Sequence, residues 1–185
     1  MPMLLTFAMS LLFVSSPGDQ SSPCDTLKVV SNLITWGHGN IGQPRRIEAI
    51  IVHSSYNALS SDSFSVDGIL KEYRQINVAP HYIIDRSGTI YQLVPDCEVA
   101  YHAGKSRLPD GTKDVNRVSI GIEVINTENS SLTEEQYGSL ASLVRCLEEK
   151  YPVKYLLGHS DIAPGRKTDP WNFDWRKLRS VLNIH

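Results

Sequence analysis

Two short runs, "RIEAIIVHSS" (46–55) and "VSIGIEVIN" (118–126), do most to limit what this chain can fold into. Each is a nearly continuous apolar stretch rich in β-branched residues and of strand length. Without alternation, such a run reads as a strand buried on both faces. Buried strands of this kind belong inside a sheet covered by helices. Each run also carries a polar outlier. His53 ends the apolar part of the first, and Glu123 sits in the middle of the second. A carboxylate in so apolar a strand costs several kcal/mol unless it is paired, neutralised or beside a metal. The alternative is an edge position facing outward.

The remaining elements surround these two. "SSDSFSVDGILKEYRQIN" has Val66, Ile69, Leu70, Tyr73 and Ile76 at helical spacing behind capping serines, which predicts a helix near 65–76 despite Gly68. "HYIIDRSGTIYQLV" reads as a hairpin turning at 85–88. In "SLTEEQYGSLASLVRCLEEKYP", Thr133 and Gln136 form a capping box and Leu132 with Tyr137 a hydrophobic staple, and Pro152 ends the helix. "KYLLG" is a strand leading to His159, and "WNFDWRKLRSVL" a final amphipathic stretch packing on the sheet. Strands mixed with helices predict an α/β protein, with a central mixed sheet flanked by helices.

Length and charge set the outer bounds. One ordinary core suffices for 185 residues, and a formal charge of −2 gives no basis for nucleic-acid binding. Cys24, Cys97 and Cys146 lie far apart and form no CxxC pair, which excludes a cysteine-based zinc knuckle or thioredoxin-type motif. One disulfide with a spare thiol is allowed, in any pairing. "MPMLLTFAMSLLFVSS" holds an apolar run of signal-peptide length, too short for a membrane span, though no Lys or Arg precedes it. The expected organisation is therefore a signal at 1–16, a linker at 17–26 and one domain at 27–185. Export would place the domain in the periplasm or outside the cell, without a membrane span after signal removal; a retained leader would leave it in the cytoplasm. A monomer is the default.

The segment "LLGHSDIAPGRKTDPWNFDW" (156–175) concentrates the chemistry. Pro164 and Pro170 forbid a continuous helix, so a rigid loop returns Lys167 and Asp169 toward His159. His53 and His159 each terminate an apolar strand, where side chains become accessible. Two imidazoles and a carboxylate are an ordinary ligand set for catalytic zinc, leaving the fourth position to water. In an extended loop Lys167 shares a face with Asp169, where an ammonium can stabilise an oxyanion. Glu123 has the chemistry of a general base for such a site. A solvated surface lysine is the plain alternative for Lys167. Trp36 and His38 precede the first strand, either covering a groove or packing on the sheet.

Five blocks in order, "VHSS" (52–55), "PHYIIDRSGTIYQLVP" (80–95), "YHAG" (101–104), "SIGIEV" (119–124) and "GHSDIAPGRKTDP" (158–170), resemble the type-2 zinc N-acetylmuramoyl-L-alanine amidases, AmpD-like and related to peptidoglycan recognition proteins. The resemblance covers roughly 45–180. It implies that His53, His159 and Asp169 bind zinc at the strand ends, that Glu123 is the catalytic acid–base, and that Lys167 stabilises the oxyanion. It also implies a groove near His81, Tyr101 and His102, with Tyr101 where relatives carry Trp. His81 itself is read as structural and close to the site. The implied reaction is hydrolysis of the amide joining N-acetylmuramic acid to L-alanine in peptidoglycan or muropeptides. The rivals are a peptidoglycan-binding module without turnover and a cytosolic amidase recycling anhydro-muropeptides.

Overall fold

The two apolar runs lie side by side as parallel neighbours in the middle of a sheet. The computed structural model describes residues 22–183, so the signal expected at 1–16 lies outside the described residues. The strands are β1 (Val29–Ser31), β2 (His38–Gly39), β3 (Ala49–Ser55), β4 (Tyr82–Ile84), β5 (Ile90–Gln92), β6 (Val99–Ala100), β7 (Ser119–Ile125) and β8 (Tyr155–Gly158). The helices are α1 (Val66–Gln75), α2 (Glu134–Lys150), α3 (His159–Ile162) and α4 (Trp175–Leu182). The main sheet runs β1-β5-β4-β7-β3-β8, and β2 pairs with β6 separately. Within the main sheet only β4 and β5 are antiparallel, as their hairpin requires. The sheet is mixed and flanked by helices, as expected. The first run extends two residues past His53, to Ser55.

Alternation along the strands decides which side chains meet. Ile50 and Val52 of β3, with Ile120, Ile122 and Val124 of β7, point to the face covered by α2 and α4. Ala49 and Ile51 point to the other face, toward Ala103, Leu108 and Ile162. Ala49, Ile50, Ile51, Val52, Ile120 and Ile122 are all fully buried. Each large aliphatic side chain withdrawn from water in this way is worth about 1.5–3 kcal/mol. The register pairs His53 with Glu123, and residues directly paired in adjacent strands share a face. Both outliers therefore stand on the face away from α2 and α4.

Local signals fix the helices. The Thr133 hydroxyl accepts from Gln136 N while Gln136 Oε1 accepts from Thr133 N, closing the capping box. The buried Gln136 amide also donates to Ile125 O, at 2.8 Å, which ties α2 to the end of β7. Leu132 and Tyr137 are buried in one core with α4 residues Leu178 and Leu182. Asp174 caps α4 by accepting from Arg176 N and Lys177 N. Trp36 packs against the smaller core that contains Ile69 and Ile83. A disulfide joins Cys24 to Cys146, so the stretch expected to be a linker is tied to α2 at Cys24; Cys97 is an exposed free thiol. No helix of the described residues is long and apolar enough to cross a membrane.

Candidate active site and metal centre

At the carboxyl ends of β3, β7 and β8 three donor atoms converge. His53 Nδ1 lies 2.9 Å from His159 Nδ1 and 3.4 Å from Asp169 Oδ2, and His159 Nδ1 lies 3.1 Å from the same carboxylate oxygen. β3 supplies His53, and His159 opens α3 immediately after β8. Asp169 returns on the loop beyond, where its carbonyl accepts from Ser160 N at 2.8 Å. All three side chains are buried.

The outer nitrogens show what the inner ones need. His159 Nε2 faces Ala103 O at 3.3 Å, and a carbonyl can only accept, so the hydrogen of this imidazole sits on Nε2. Its Nδ1 then presents a lone pair to His53 Nδ1 and to a carboxylate. Electron-rich atoms held this close call for a cation between them. A tetrahedral zinc with ligand bonds of ordinary length keeps its donors about 3.3 Å apart, and the observed separations bracket that value. The donor set fits the ion.

Electrostatics agree. Burial pushes the His53 pKa down to about 4, against the opposing pull of Asp169, which keeps the imidazole neutral and able to ligate. Burial works to raise the Asp169 carboxyl, but its contacts with His159 and His53 outweigh it and hold it below the ordinary carboxylate range. Glu123 behaves oppositely. Burial first, then the charge on Asp169, push it up to about 8; the Tyr73 and Ser55 hydroxyls and Lys167 pull the other way. Its Oε1 is buried without a hydrogen-bond partner among the described residues. The outward-facing edge reading of Glu123 is excluded, because β7 lies between β4 and β3.

These groups line a groove of about 400 Å³ that also receives Lys167, Arg166, Trp171, Tyr101 and Ile76. Lys167 is exposed at its mouth. Tyr101 stands exposed on the wall, its hydroxyl over Gly39, where a Cβ would come within 2.5 Å of it. Tyr73 was legible only as part of the apolar face of α1, yet it lines the groove beside Glu123. Burial, and then Glu123, raise its hydroxyl well above the ordinary tyrosine range.

His81, placed near the substrate groove by the resemblance and read as structural, is fully buried and does not line the groove. Its Nδ1 accepts from Gly121 N at 3.0 Å, and its Nε2–H faces Glu98 O at 3.1 Å. The Arg45 guanidinium lies against the same ring and donates to the carbonyls of Asp96, Asn116 and Ser119. His81 thus ties β7 to the neighbouring loops, and burial followed by Arg45 lowers its pKa to about 3. His102 does reach the groove, but both ring nitrogens are occupied from within, by His53 and Ser119. His38 stands apart from the trio, 2.5 Å from Glu98.

A family model described as Amidase_2, N-acetylmuramoyl-L-alanine amidase, matches residues 43–172, which is most of the chain and includes every residue of the trio. The chain belongs to the Amidase_2 family. Within it, the 1,6-anhydro-N-acetylmuramyl-L-alanine amidase AmpD of Escherichia coli K12 is 42 % identical over 115 residues, 60 % of this chain and 62 % of that protein. The match therefore spans less than two thirds of that relative's length. The AmpD of Enterobacter cloacae is 34 % identical over 175 residues, 91 % of this chain and 88 % of that one. Among solved structures, a selenomethionine AmpD derivative superposes with a TM-score of 0.71 at 28 % identity, covering 82 % of this chain and 94 % of that one. The amidase AmiD of E. coli, solved with the substrate anhydro-N-acetylmuramic acid-L-Ala-D-γ-Glu-L-Lys, gives 0.65 at 28 % identity, covering 76 % and 59 %. The Amidase_2 fold is thus shared along nearly the whole described chain.

Proposed function

We propose that this chain is a zinc-dependent N-acetylmuramoyl-L-alanine amidase, which hydrolyses the amide between the lactyl group of N-acetylmuramic acid and L-alanine. The observation that carries the reading is the convergence of His53, His159 and Asp169 beside the buried Glu123 carboxyl, whose Oε1 has no hydrogen-bond partner among the described residues, in one groove, within a chain of this family. His53 Nδ1, His159 Nδ1 and Asp169 Oδ2 would hold the ion. Bound zinc supplies Lewis acidity to the scissile carbonyl and lowers the pKa of water beside it.

The protein's own groups complete the reaction. Water adds to the carbonyl carbon, and the Glu123 carboxylate accepts its proton. The Lys167 ammonium, at the open mouth, stabilises the oxygen that becomes negative. Glu123 then gives its proton to the alanine nitrogen as the C–N bond breaks, leaving a carboxylic acid on the muramyl side and a free peptide amine. An amine leaves badly unless protonated, so one group must both take and return the proton. Burial supports this use of Glu123, because an acid–base group works best with a pKa near the operating pH.

The disulfide between Cys24 and Cys146 and the apolar leader together support export, since disulfides persist in oxidising compartments. Residues 27–185 act as a single amidase domain, monomeric, facing the cell wall. A second reading, turnover of soluble anhydro-muropeptides, is favoured by the names of the AmpD relatives and by the AmiD substrate complex.

The test measures zinc content and amide cleavage for the full chain and for Glu123→Gln, on intact sacculi and on a soluble anhydro-muropeptide. Near-stoichiometric zinc in both proteins with turnover in the wild type alone is expected. Cleavage of the soluble substrate only would select the second reading. Zinc without cleavage of either would leave a binding module, and no zinc after metal-replete preparation would remove the ligand assignment.

A further inference from the structure

His53 and His159 both spend their outer nitrogens on the same dipeptide. His53 Nε2 lies 2.9 Å from His102 Nδ1, and His159 Nε2 faces the carbonyl of the next residue, Ala103, at 3.3 Å. That dipeptide is held firmly. The Asn116 carboxamide oxygen accepts from both of its backbone N–H groups, His102 at 3.1 Å and Ala103 at 2.7 Å. Arg166 Nη2 donates to Ala103 O at 2.7 Å. The His102 ring rests on Gly121, where an added Cβ would fall 2.4 Å from its Cγ. Gly121 is therefore the only residue type that leaves the ring its seat on β7.

The hydrogens along this chain follow from its far end. Ser119 Oγ is 2.6 Å from Val115 O, a carbonyl, so the hydroxyl hydrogen goes there. The oxygen is then free to accept from His102 Nε2, 3.2 Å away. With its hydrogen on Nε2, His102 offers the lone pair of Nδ1 to His53 Nε2–H. His53 in turn keeps its own lone pair on Nδ1, the atom that faces His159 and Asp169.

We propose that His102 is a positioning residue for the metal centre, setting the tautomer and ring angle of His53 through the relay Val115–Ser119–His102–His53. Resting on the zinc reading above, this gives His102 a role directed at the metal instead of the substrate. Hydrogen-bond partners of this kind, placed behind metal-binding imidazoles, typically change metal affinity by ~10–100-fold when lost.

Zinc affinity by chelator competition on the full-length apo protein, together with the visible spectrum of the cobalt form, tests this without recourse to activity. His102→Phe keeps a ring of similar size but offers no acceptor. It is expected to bind zinc ~10–100-fold more weakly and to alter the cobalt spectrum. His102→Gln, whose amide oxygen can accept from His53, is expected to recover part of that loss. Ser119→Ala removes the acceptor that orders the His102 tautomer, together with the hydroxyl's bond to Val115 O, and settles the question if His102→Phe does not fold. Its expected effect is a smaller loss of affinity in the same direction. Wild-type zinc affinity in folded His102→Phe, or in Ser119→Ala, would overturn the relay while leaving the zinc reading intact. Failure of the wild type itself to bind zinc would remove that reading instead.

Discussion

His53 stands opposite Glu123 in the register of two adjacent parallel strands, on the face of the sheet turned away from α2 and α4. In the proposed reaction one strand thus supplies a ligand and its neighbour the base, with no loop between them to blur the spacing. Rigid elements hold catalytic groups more exactly in place than loops do. Glu123→Gln preserves shape and removes the base, and it also removes a carboxyl that burial disfavours. Turnover should fall by at least ~10²-fold, toward ~10⁴, with zinc content unchanged and thermal stability equal or higher. Loss of zinc in this variant, measured by elemental analysis, would move Glu123 from the chemistry to the metal.

Lys167 differs because it is exposed at the groove mouth and holds no core contact. Lys167→Ala should fold and bind zinc as the wild type does. If its ammonium meets the developing oxyanion, kcat falls by ~10²–10³ with little change in KM. A rise in KM with kcat intact would instead make it a residue that only binds substrate.

The pairing of His53 with Glu123 shows what the sequence could and could not reveal. Apolar runs, capping residues and prolines act locally, so β3, β7, α2 and the loop carrying Asp169 were readable from neighbouring residues alone. The capping box between Thr133 and Gln136 was readable for the same reason. Roles fixed by tertiary contact were not. His81 and His102 look alike on paper, each a histidine in a motif block; only packing against Arg45 or against His53 separates them. Tyr73 obeys the apolar period of α1, and nothing local tells that its hydroxyl ends beside Glu123. The pairing of Cys24 with Cys146 likewise depends on where α2 packs.

His81 predicts how stability responds to acid. Its folded pKa, about 3, lies below the ordinary histidine value of 6.5 because burial and then Arg45 oppose the charge. Above pH 6.5 the ring is neutral in both states and has no effect. As pH falls below 6.5 the unfolded chain takes a proton that the folded one refuses, so stability drops steadily until about pH 3. At pH 5 the loss from this one group is about 2 kcal/mol. His81→Asn keeps an acceptor for Gly121 N but cannot titrate. Urea unfolding at pH 7.5 and pH 5 should show the wild type losing about 2 kcal/mol more between them than the variant. Equal losses would mean that His81 is protonated in the native protein.

The disulfide supplies the last expectation. Cys24 and Cys146 are 122 residues apart, so the bridge closes most of the chain into one loop and restricts the unfolded state strongly. A reductant should lower the wild-type urea midpoint by an amount equivalent to about 2–5 kcal/mol. Cys24→Ser should start from that lower midpoint and not respond to reductant, whereas Cys97→Ser, at an exposed free thiol, should behave as the wild type. The metal trio lies on other elements, β3, α3 and the loop after it, so zinc affinity should survive reduction at low denaturant. A reduced protein with an unchanged midpoint would show that the bridge contributes nothing to folding.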